Sequence, residues 1–522
     1  MSALDFSASR HGFSGLPLGL ILSGWLLCFG LSSAQTSGGG YSEPIEISIE
    51  QAVMDGLSGN LELRIQQLNP VIAGAFEQIA RGEFDPELFA NFSQRKEKVT
   101  QVDRGTQEQF NVDGQDYVGS IGVRQSFATG TDVEAIVSQD RSISDRTPEQ
   151  QSARLGLSVT QSLLRGFGTG VNLVSVRQAR METEASRYEL RGFTESLVAR
   201  IESTYWRFVL ANKSIAIFEE SLAIARTQRD AIEDRIEVGD LPRNEIAAVN
   251  AEIALRESAL IDARSNKESL RLQLVRLINP KSNGHMESLI EPVTEPEANF
   301  ESLDDLDQRL ELVDSYRSDI NEARLRIEQD RLETVQTRNG RLPRLDLFIT
   351  LGLTGYADSF KSSFDDVDGD TYDIRAGFVF SQSLGRRVNR GRDLAALSNL
   401  RQSEEALNNL RQLARYDFLR AINEVKRAEQ QIDATATVRV HQEQTVTNEQ
   451  ERFAVGASTA LQVALAQRDL LESRIAEVES LVDYKIALLN LYVAEGSLLE
   501  RRGIQVLDAG EVATPGYLEE GS

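Results

Sequence analysis

The sequence predicts a mainly helical fold with β-strands: long-helix hairpins in tandem duplication, with a β-barrel shared between chains. Three observations predict it. Small-residue knots interrupt long helical patterns at Gly239 and Gly456. The segments around those knots recur in the same order. Between the helices the apolar residues change to an alternate-residue beat, the mark of strands.

The 522 residues leave room for two domains or one elongated molecule. Charged residues make up 26% and aromatics 7%, which favours long helices with thin seams over a thick core. A formal charge of −24 argues against a nucleic-acid partner, because phosphate binding needs a basic face.

Taken in order, residues 1–34 read as a secretory signal peptide. Arg10 and His11 lead into the apolar run "LPLGLILSGWLLCFGL", and small residues follow in "SSAQ". Cleavage is expected near Ala34. The rival reading is an uncleaved anchor, but the run is shorter than the ~20 residues a bilayer needs. Cys28 is the only cysteine and lies in that run after Leu27. A lipoprotein signal would want Gly or Ala before it, so no acyl chain is expected. The mature chain would then have neither disulfides nor thiol chemistry. No later run is apolar enough for a transmembrane helix. An exported chain of this kind is soluble or crosses a membrane as a β-barrel.

The first repeat is read over 35–280, the linker over 281–300, the second repeat over 301–500 and a tail over 501–522. "RGEFDPELFANF" from Arg81 parallels "RNGRLPRLDLFI" from Arg338, and "LGLSVTQSL" from Leu155 parallels "AGFVFSQSL" from Ala376. The seam "NPKSNGHMESLIEPVTEPEANFES" around the linker carries Pro280, Pro292 and Pro296. Each copy has the order helix, strands, long helix, knot, helix.

The strands alternate. Leu345, Leu347, Ile349, Leu351 and Leu353 point one way, with Asp346, Phe348, Thr350 and Gly352 opposite. Tyr372 to Ser381 and Ala153 to Ser162 alternate likewise. An apolar face backed by a more polar one fits a membrane barrel with lipid outside and water inside, and the lengths suit strands of ~9–11 residues. A soluble sandwich alternates too, but these strands interrupt helices too long to fold over them. A few hairpins cannot close a barrel, and open edges are not tolerated in lipid, so the barrel must be shared between chains. Tyr117 to Ile143 reads as an additional hairpin turning at Gly130, which enlarges the barrel or projects from it.

The long helices follow. No proline lies between Pro148 and Pro242, or between Pro343 and Pro515. Leu407, Leu410, Ala414, Phe418, Ala421, Val425 and Ala428 keep a helical stripe suited to helix packing. A helix of this kind would be ~100 Å long. A coiled-coil scaffold has the same pattern, and helices alone do not exclude it.

Each knot reads as a hairpin tip. Gly239 and Gly456 end one helix, since glycine tolerates the left-handed turn of a helix stop. Ser458 or Thr459 can cap the next helix in one copy, and Asp240 in the other, with Pro242 in the first turn.

Catalysis finds no support. His285 and His441 are the only histidines after the leader, and no zinc-protease, nucleophile-elbow or phosphate-loop motif is present. "DDVDGD" over 365–370 spaces its carboxylates like a calcium loop but lacks the terminal glutamate, and it reads as a solvated loop. No catalytic residue, metal site or cofactor is expected.

These residues together resemble the TolC-like outer-membrane efflux protein family. The resemblance rests on the duplicated order, "ISIEQAV", "VTQSLLRGFGTG", "STYWRFVLAN", and "RIEVG" and "RFAVG" at the tips. It implies a homotrimer in which a shared β-barrel spans the outer membrane and a long α-barrel crosses the periplasm. It implies passive export, with an inner-membrane pump and a periplasmic adaptor as partners. The tip residues it marks for adaptor binding and gating are Arg235, Gly239, Glu245, Arg452, Gly456 and Gln462. The strand from Leu345 to Leu353 would meet lipid. Two departures stand out. Ser162 and Ser383 replace a proline common after the strand glutamine, so Gly166 and Gly168, or Gly385 and Gly391, must make the barrel-to-helix bend. Gln462 and Leu465 occupy places where some members carry constriction aspartates, leaving Glu245 as the nearest acid. The other class that the sequence allows is an exported coiled-coil structural protein.

Overall fold

The computed structural model describes residues 45–506, apart from 103, 146–147, 280–284, 304 and 368–369. The expected leader, its cleavage point and Cys28 lie outside the described residues, as does the tail beyond 506.

The first copy opens with β1 (Ile45–Ile47) and three short helices, α1 (Ile49–Gly59), α2 (Leu61–Gln66) and α3 (Leu68–Arg81). Ser48 caps α1 by accepting from the Gln51 amide, and Asn60 caps α2 by accepting from Leu63. Four strands follow: β2 (Glu87–Val102), β3 (Gln109–Phe127), β4 (Thr131–Ser144) and β5 (Gln150–Ser162). A turn, α4 (Thr169–Asn172), leads into α5 (Val174–Glu237), and α6 (Glu245–Ile278) returns. β6 (Ile290–Pro292) pairs in parallel with β1. The second copy runs α7 (Leu306–Tyr316), α8 (Ser318–Gly340), β7 (Arg344–Ala357), α9 (Phe360–Asp365), β8 (Tyr372–Ser381), α10 (Arg387–Ala454) and α11 (Ala460–Glu495), and α12 (Leu498–Arg501) closes it.

The long helices have the expected scale. α5 has 64 residues and α10 has 68, or about 96 Å and about 102 Å at the α-helical rise. Neither contains proline, and their apolar residues are held in thin seams. One core sits at mid-length, where Leu197, Ile201, Tyr205 and Phe208 of α5 pack with α1, the end of α6 and Leu489 of α11. There the Tyr205 hydroxyl donates to the Ile47 carbonyl at 3.0 Å and accepts from the Thr294 amide at 3.0 Å. This bond pins the chain entry and the linker across the helices. A second core joins Ile320 and Ile327 of α8 to Phe418, Ile422 and Val425 of α10 and Tyr484 of α11. A third lies toward the tips, around Leu222, Ile232, Val249 and Ile253. Among the described residues no helix is long and apolar enough to cross a membrane.

The strands form one antiparallel sheet in the order β2-β3-β4-β5-β7-β8. The hairpin left open by the sequence is therefore part of this sheet: β3 pairs with β2 on one side and with β4 on the other. β5 and β7 join the two copies, with Leu157 opposite Leu351 and Val159 opposite Ile349. Within one chain the sheet is open, and β2 and β8 are its edges.

The passage from sheet to helix differs between copies. Gly166 and Gly168 take positive φ, +86° and +91°, as expected. In the second copy neither Gly385 nor Gly391 does so. Arg386 adopts the left-handed conformation instead, at φ +48°, and stands at the N-cap of α10. The expectation of a glycine bend is corrected there.

Candidate functional site

The tips are built alike. At the end of α5, Gly239 has φ +81°. Its amide donates to the Ile236 carbonyl at 3.1 Å, and the Asp240 amide donates to the Arg235 carbonyl at 2.9 Å. At the end of α10, Gly456 has φ +77°, with amide bonds from Gly456 to Phe453 at 3.1 Å and from Ala457 to Arg452 at 2.8 Å. Both are Schellman stops, in which two orphan carbonyls of the last helical turn are satisfied by the reversing chain. Nothing lies near a side chain built on either glycine. The requirement for glycine is therefore one of backbone conformation alone.

The helices that leave the tips start differently. Thr459 caps α11, its hydroxyl accepting from the Gln462 amide at 3.3 Å, as expected. In the first copy α6 begins at Glu245, and its N-cap residue Asn244 makes no side-chain bond. Asp240 does not cap. Its carboxylate instead accepts from Arg235 Nε at 2.8 Å. The ion pair competes successfully because Arg235 ends its helix within reach, while the chain needs four further residues before α6 starts.

The tips also touch each other. The Arg235 guanidinium lies over the Phe453 ring, 5.4 Å from its centre. Glu245 accepts from the Ala460 amide at 3.1 Å, so the first residue of α6 places a negative charge on the N-terminus of α11. Ala460 is fully buried beside Ile232 and Val249. Arg452 pairs with Glu449 at 2.6 Å. The Ser458 hydroxyl lies 2.6 Å from Glu449 and 2.7 Å from the Gln462 side chain. Hydrogen bonding from Ser458 and the charge of Arg452 hold the Glu449 carboxyl below the usual carboxylate range. The six tip residues thus fall in two groups. Arg235 and Glu245 join the tip of one copy to the other through Phe453 and Ala460, and Gly239 shapes the first turn without touching the second. Arg452, Gly456 and Gln462 belong to the second tip's own network. Phe453 and Ala460 were not singled out from the sequence. Their signal was weak: an aromatic one turn before the knot, and an alanine just after the capping threonine.

At the other end, the sheet separates its faces. Directly opposed residues of an antiparallel sheet share a face. One register row reads Leu88, Val123, Ala135, Leu157, Leu351, Ile374 across all six strands. The next reads Ala90, Ile121, Val137, Leu155, Leu353, Tyr372. Ile349 continues the face beside Val159 and Ala376, Leu347 beside Phe378, and Leu345 beside Phe380. All five β7 residues expected on one face therefore share it. Ile349, Leu351 and Leu353 remain exposed although β7 is paired on both sides. Aromatics mark both ends of the band, Phe127, Phe378 and Phe380 below and Phe92, Tyr117 and Tyr372 above. A continuous exposed apolar band with aromatic borders is the pattern of a lipid-facing barrel wall.

The opposite face is polar. One row reads Glu87, Arg124, Glu134, Ser158, Thr350, Arg375. Arg154 pairs with Asp373 at 2.6 Å over Gly352, filling the space that a side chain there would need. Asp346 is buried and is held by Arg344 and by the Ser162 hydroxyl at 3.3 Å. Among the described residues no cluster of His, Cys, Asp and Glu could hold a metal ion.

Comparison with known proteins agrees with this geometry. Residues 310–497 match the family described as outer membrane efflux protein. No curated protein matches the sequence. Among solved structures, the Campylobacter jejuni CmeC outer membrane channel is 16% identical with TM-score 0.66, over 89% of this chain and 88% of that one. The outer membrane protein VceC of Vibrio cholerae is 17% identical with TM-score 0.64, over 86% and 96%. The open state of the Neisseria gonorrhoeae MtrE outer membrane channel is 17% identical with TM-score 0.60, over 86% and 89%. The chain has the fold of these outer-membrane channels over nearly its whole described length, and the resemblance read from the sequence stands.

Proposed function

We propose that this chain, whose second half matches the outer membrane efflux protein family, is the outer-membrane channel of a three-part export system. Three copies share a β-barrel in the outer membrane. Their long helices form a tube that crosses the periplasm. The channel is a passive conduit and no catalytic step is assigned to it. An inner-membrane pump supplies the driving force and a periplasmic adaptor joins the two at the tips around Gly239 and Gly456.

The observation that carries this reading is the exposed apolar band spanning every strand of the sheet, at one end of helices about 100 Å long. A soluble rod has no use for such a band, and in water it would drive aggregation. The two ends then have different surroundings, lipid at the sheet and periplasmic proteins at the tips.

The test is membrane fractionation followed by electrophoresis without boiling. A heat-resistant trimer extracted by detergent from outer membranes is expected, together with ion conductance when the purified trimer is added to a planar bilayer. A monomeric, detergent-independent rod in the soluble fraction would overturn the reading in favour of a coiled-coil structural protein.

A further inference from the structure

The two copies of the repeat do not contribute equally to the sheet: the first supplies four strands and the second supplies two. We infer that the hairpin of β3 and β4 is part of the transmembrane wall, so that each chain contributes six strands and copies join by pairing β8 with β2 of the next copy, Ala376 opposite Ala90. This inference rests on the trimeric channel proposed above.

The first support is that β3 and β4 carry the same apolar face as their neighbours. Ile121 and Val123 on β3, and Ala135 and Val137 on β4, lie in the rows that include Leu155, Leu157, Leu351 and Leu353, while Val133 lies in the row of Ile349 and Phe127 in the row of Leu347. A hairpin projecting into water would have no reason to continue that band.

The second is the state of the edges. On the edge strands Leu88 is 69% exposed, Phe92 76%, Ile374 66% and Phe378 67%, whereas Leu155, Leu157, Ile349 and Leu351 inside the sheet are 40–42%. The edge residues lack a neighbour on one side, and unpaired edges are not tolerated in lipid. With six strands alternating in direction, β8 of one copy meets β2 of the next antiparallel, as closure requires.

The third is the slope of the band. On β2 the apolar window runs from Leu88 to Phe92, and Gln94, Lys96 and Lys98 above it are polar. On β8 it runs from Tyr372 to Phe380. The middle of the β2 window is Ala90, whose register row ends at Tyr372. The middle of the β8 window is Ala376, four positions lower. The window therefore slides along the rows by slightly less than one residue per strand, as it must when strands tilt within a level membrane. One further step at that slope brings Ala90 of the next copy opposite Ala376, the nearest position on the same face. The adjoining pairs become Leu88 with Phe378 and Phe92 with Ile374, all apolar. β8 then pairs along its length with the lower half of β2.

Three chains give a wall of eighteen strands. At ~4.8 Å between strands and the ~30° of tilt that this slope implies, its backbone diameter is about 32 Å, against about 21 Å if each chain gave four strands. The first copy thus sets the width of the outer opening.

The test uses cysteine pairs in a Cys28→Ser background, in trimers purified from outer membranes and treated with oxidant or a short bismaleimide. Ala90→Cys with Ala376→Cys is expected to give covalent dimers and trimers, as is Leu88→Cys with Phe378→Cys. Ala135→Cys with Ala376→Cys reports the rival wall, in which β4 is the edge and β2 and β3 project, and should not link. In a separate variant, Val123→Trp fluorescence should be quenched by brominated lipid, while Trp206, in the helical core, should not. Trimers that link through Ala135, or at none of the pairs, overturn the six-strand wall and leave the channel reading standing. If no trimer forms, the channel reading falls and this inference with it.

Discussion

Gly239 and Gly456 hold left-handed backbone with open space where a side chain would go, which separates conformational strain from steric clash. Valine at either position should cost ~1–3 kcal/mol in the turn alone. Asparagine, which adopts this conformation more readily than other residues, should cost much less. The expected phenotype of Gly456→Val, or of Gly239→Val, is a correctly inserted trimer that no longer exports, with asparagine partly restoring export. Normal export and normal adaptor crosslinking in both valine variants would make the tips simple turns. Failure of insertion would place the functional end elsewhere. Glu195 offers a second residue-scale test. It is buried on α5, its carboxylate accepts from the Leu498 amide at 3.1 Å, and burial pushes its carboxyl up to about 7. The folded chain holds this proton in a range where the unfolded chain has released it. The resulting stabilisation is full below about pH 4.5, is lost as pH rises to about 7, and amounts to at most about 3 kcal/mol. Glu195→Gln keeps an acceptor for Leu498 and removes the titration. Its thermal midpoint in detergent should exceed that of the parent at pH 8 and match it at pH 5. A parent midpoint equal at both pH values would refute the assignment.

At the scale of elements, β7 and the start of α11 carry the predictions. Arginine at Leu347 or Leu351 should cost ~2–4 kcal/mol if the position lies near the bilayer midplane, read as lost trimer assembly. Assembly unchanged by both would refute a lipid-facing β7. Glu245 joins two elements from different copies by capping α11 at Ala460. Glu245→Gln retains an acceptor for that amide, and Glu245→Ala does not, at a cost of ~1 kcal/mol to the helix start. The alanine variant should show higher single-channel conductance than the parent, and glutamine should stay close to it. Equal conductance in all three would make the contact incidental to gating. The elements also show what the sequence could disclose. The long helices were legible because no proline interrupts them and their stripe is regular. β7 was legible because Leu345 to Leu353 alternate without a break. The upper half of β2 was not, since "QRKEKVTQ" is polar on both faces and carries no alternate-residue signal. The partner of Asp240 was not legible either: a cap and an ion pair need the same residue type, and only the path of the chain after Gly239 decides between them. The left-handed Arg386 had no signal at all, because glycines on either side were the better candidates.

For the whole molecule, the proposed function has one end matched to lipid and the other matched to proteins, and variants should divide accordingly. Changes on the apolar face should abolish insertion, and changes at the tips should abolish export from an inserted trimer. A tip variant that lost trimers from the outer-membrane fraction, or a band variant that inserted normally and failed only to export, would break that division. The distance between the ends has a mechanical meaning as well. Each hairpin is a lever, with its arm set by α5 or α10 and its fulcrum near the sheet. With an arm of ~100 Å, a rotation of about 3° at the fulcrum sweeps the tip through ~5 Å. A displacement of that size would separate Arg235 from Phe453 and Glu245 from Ala460 unless both hairpins of the chain swung together. The clasp therefore acts as a coupling rod. It ties α5 and α6 to α10 and α11, so that a push on either tip is expected to turn both.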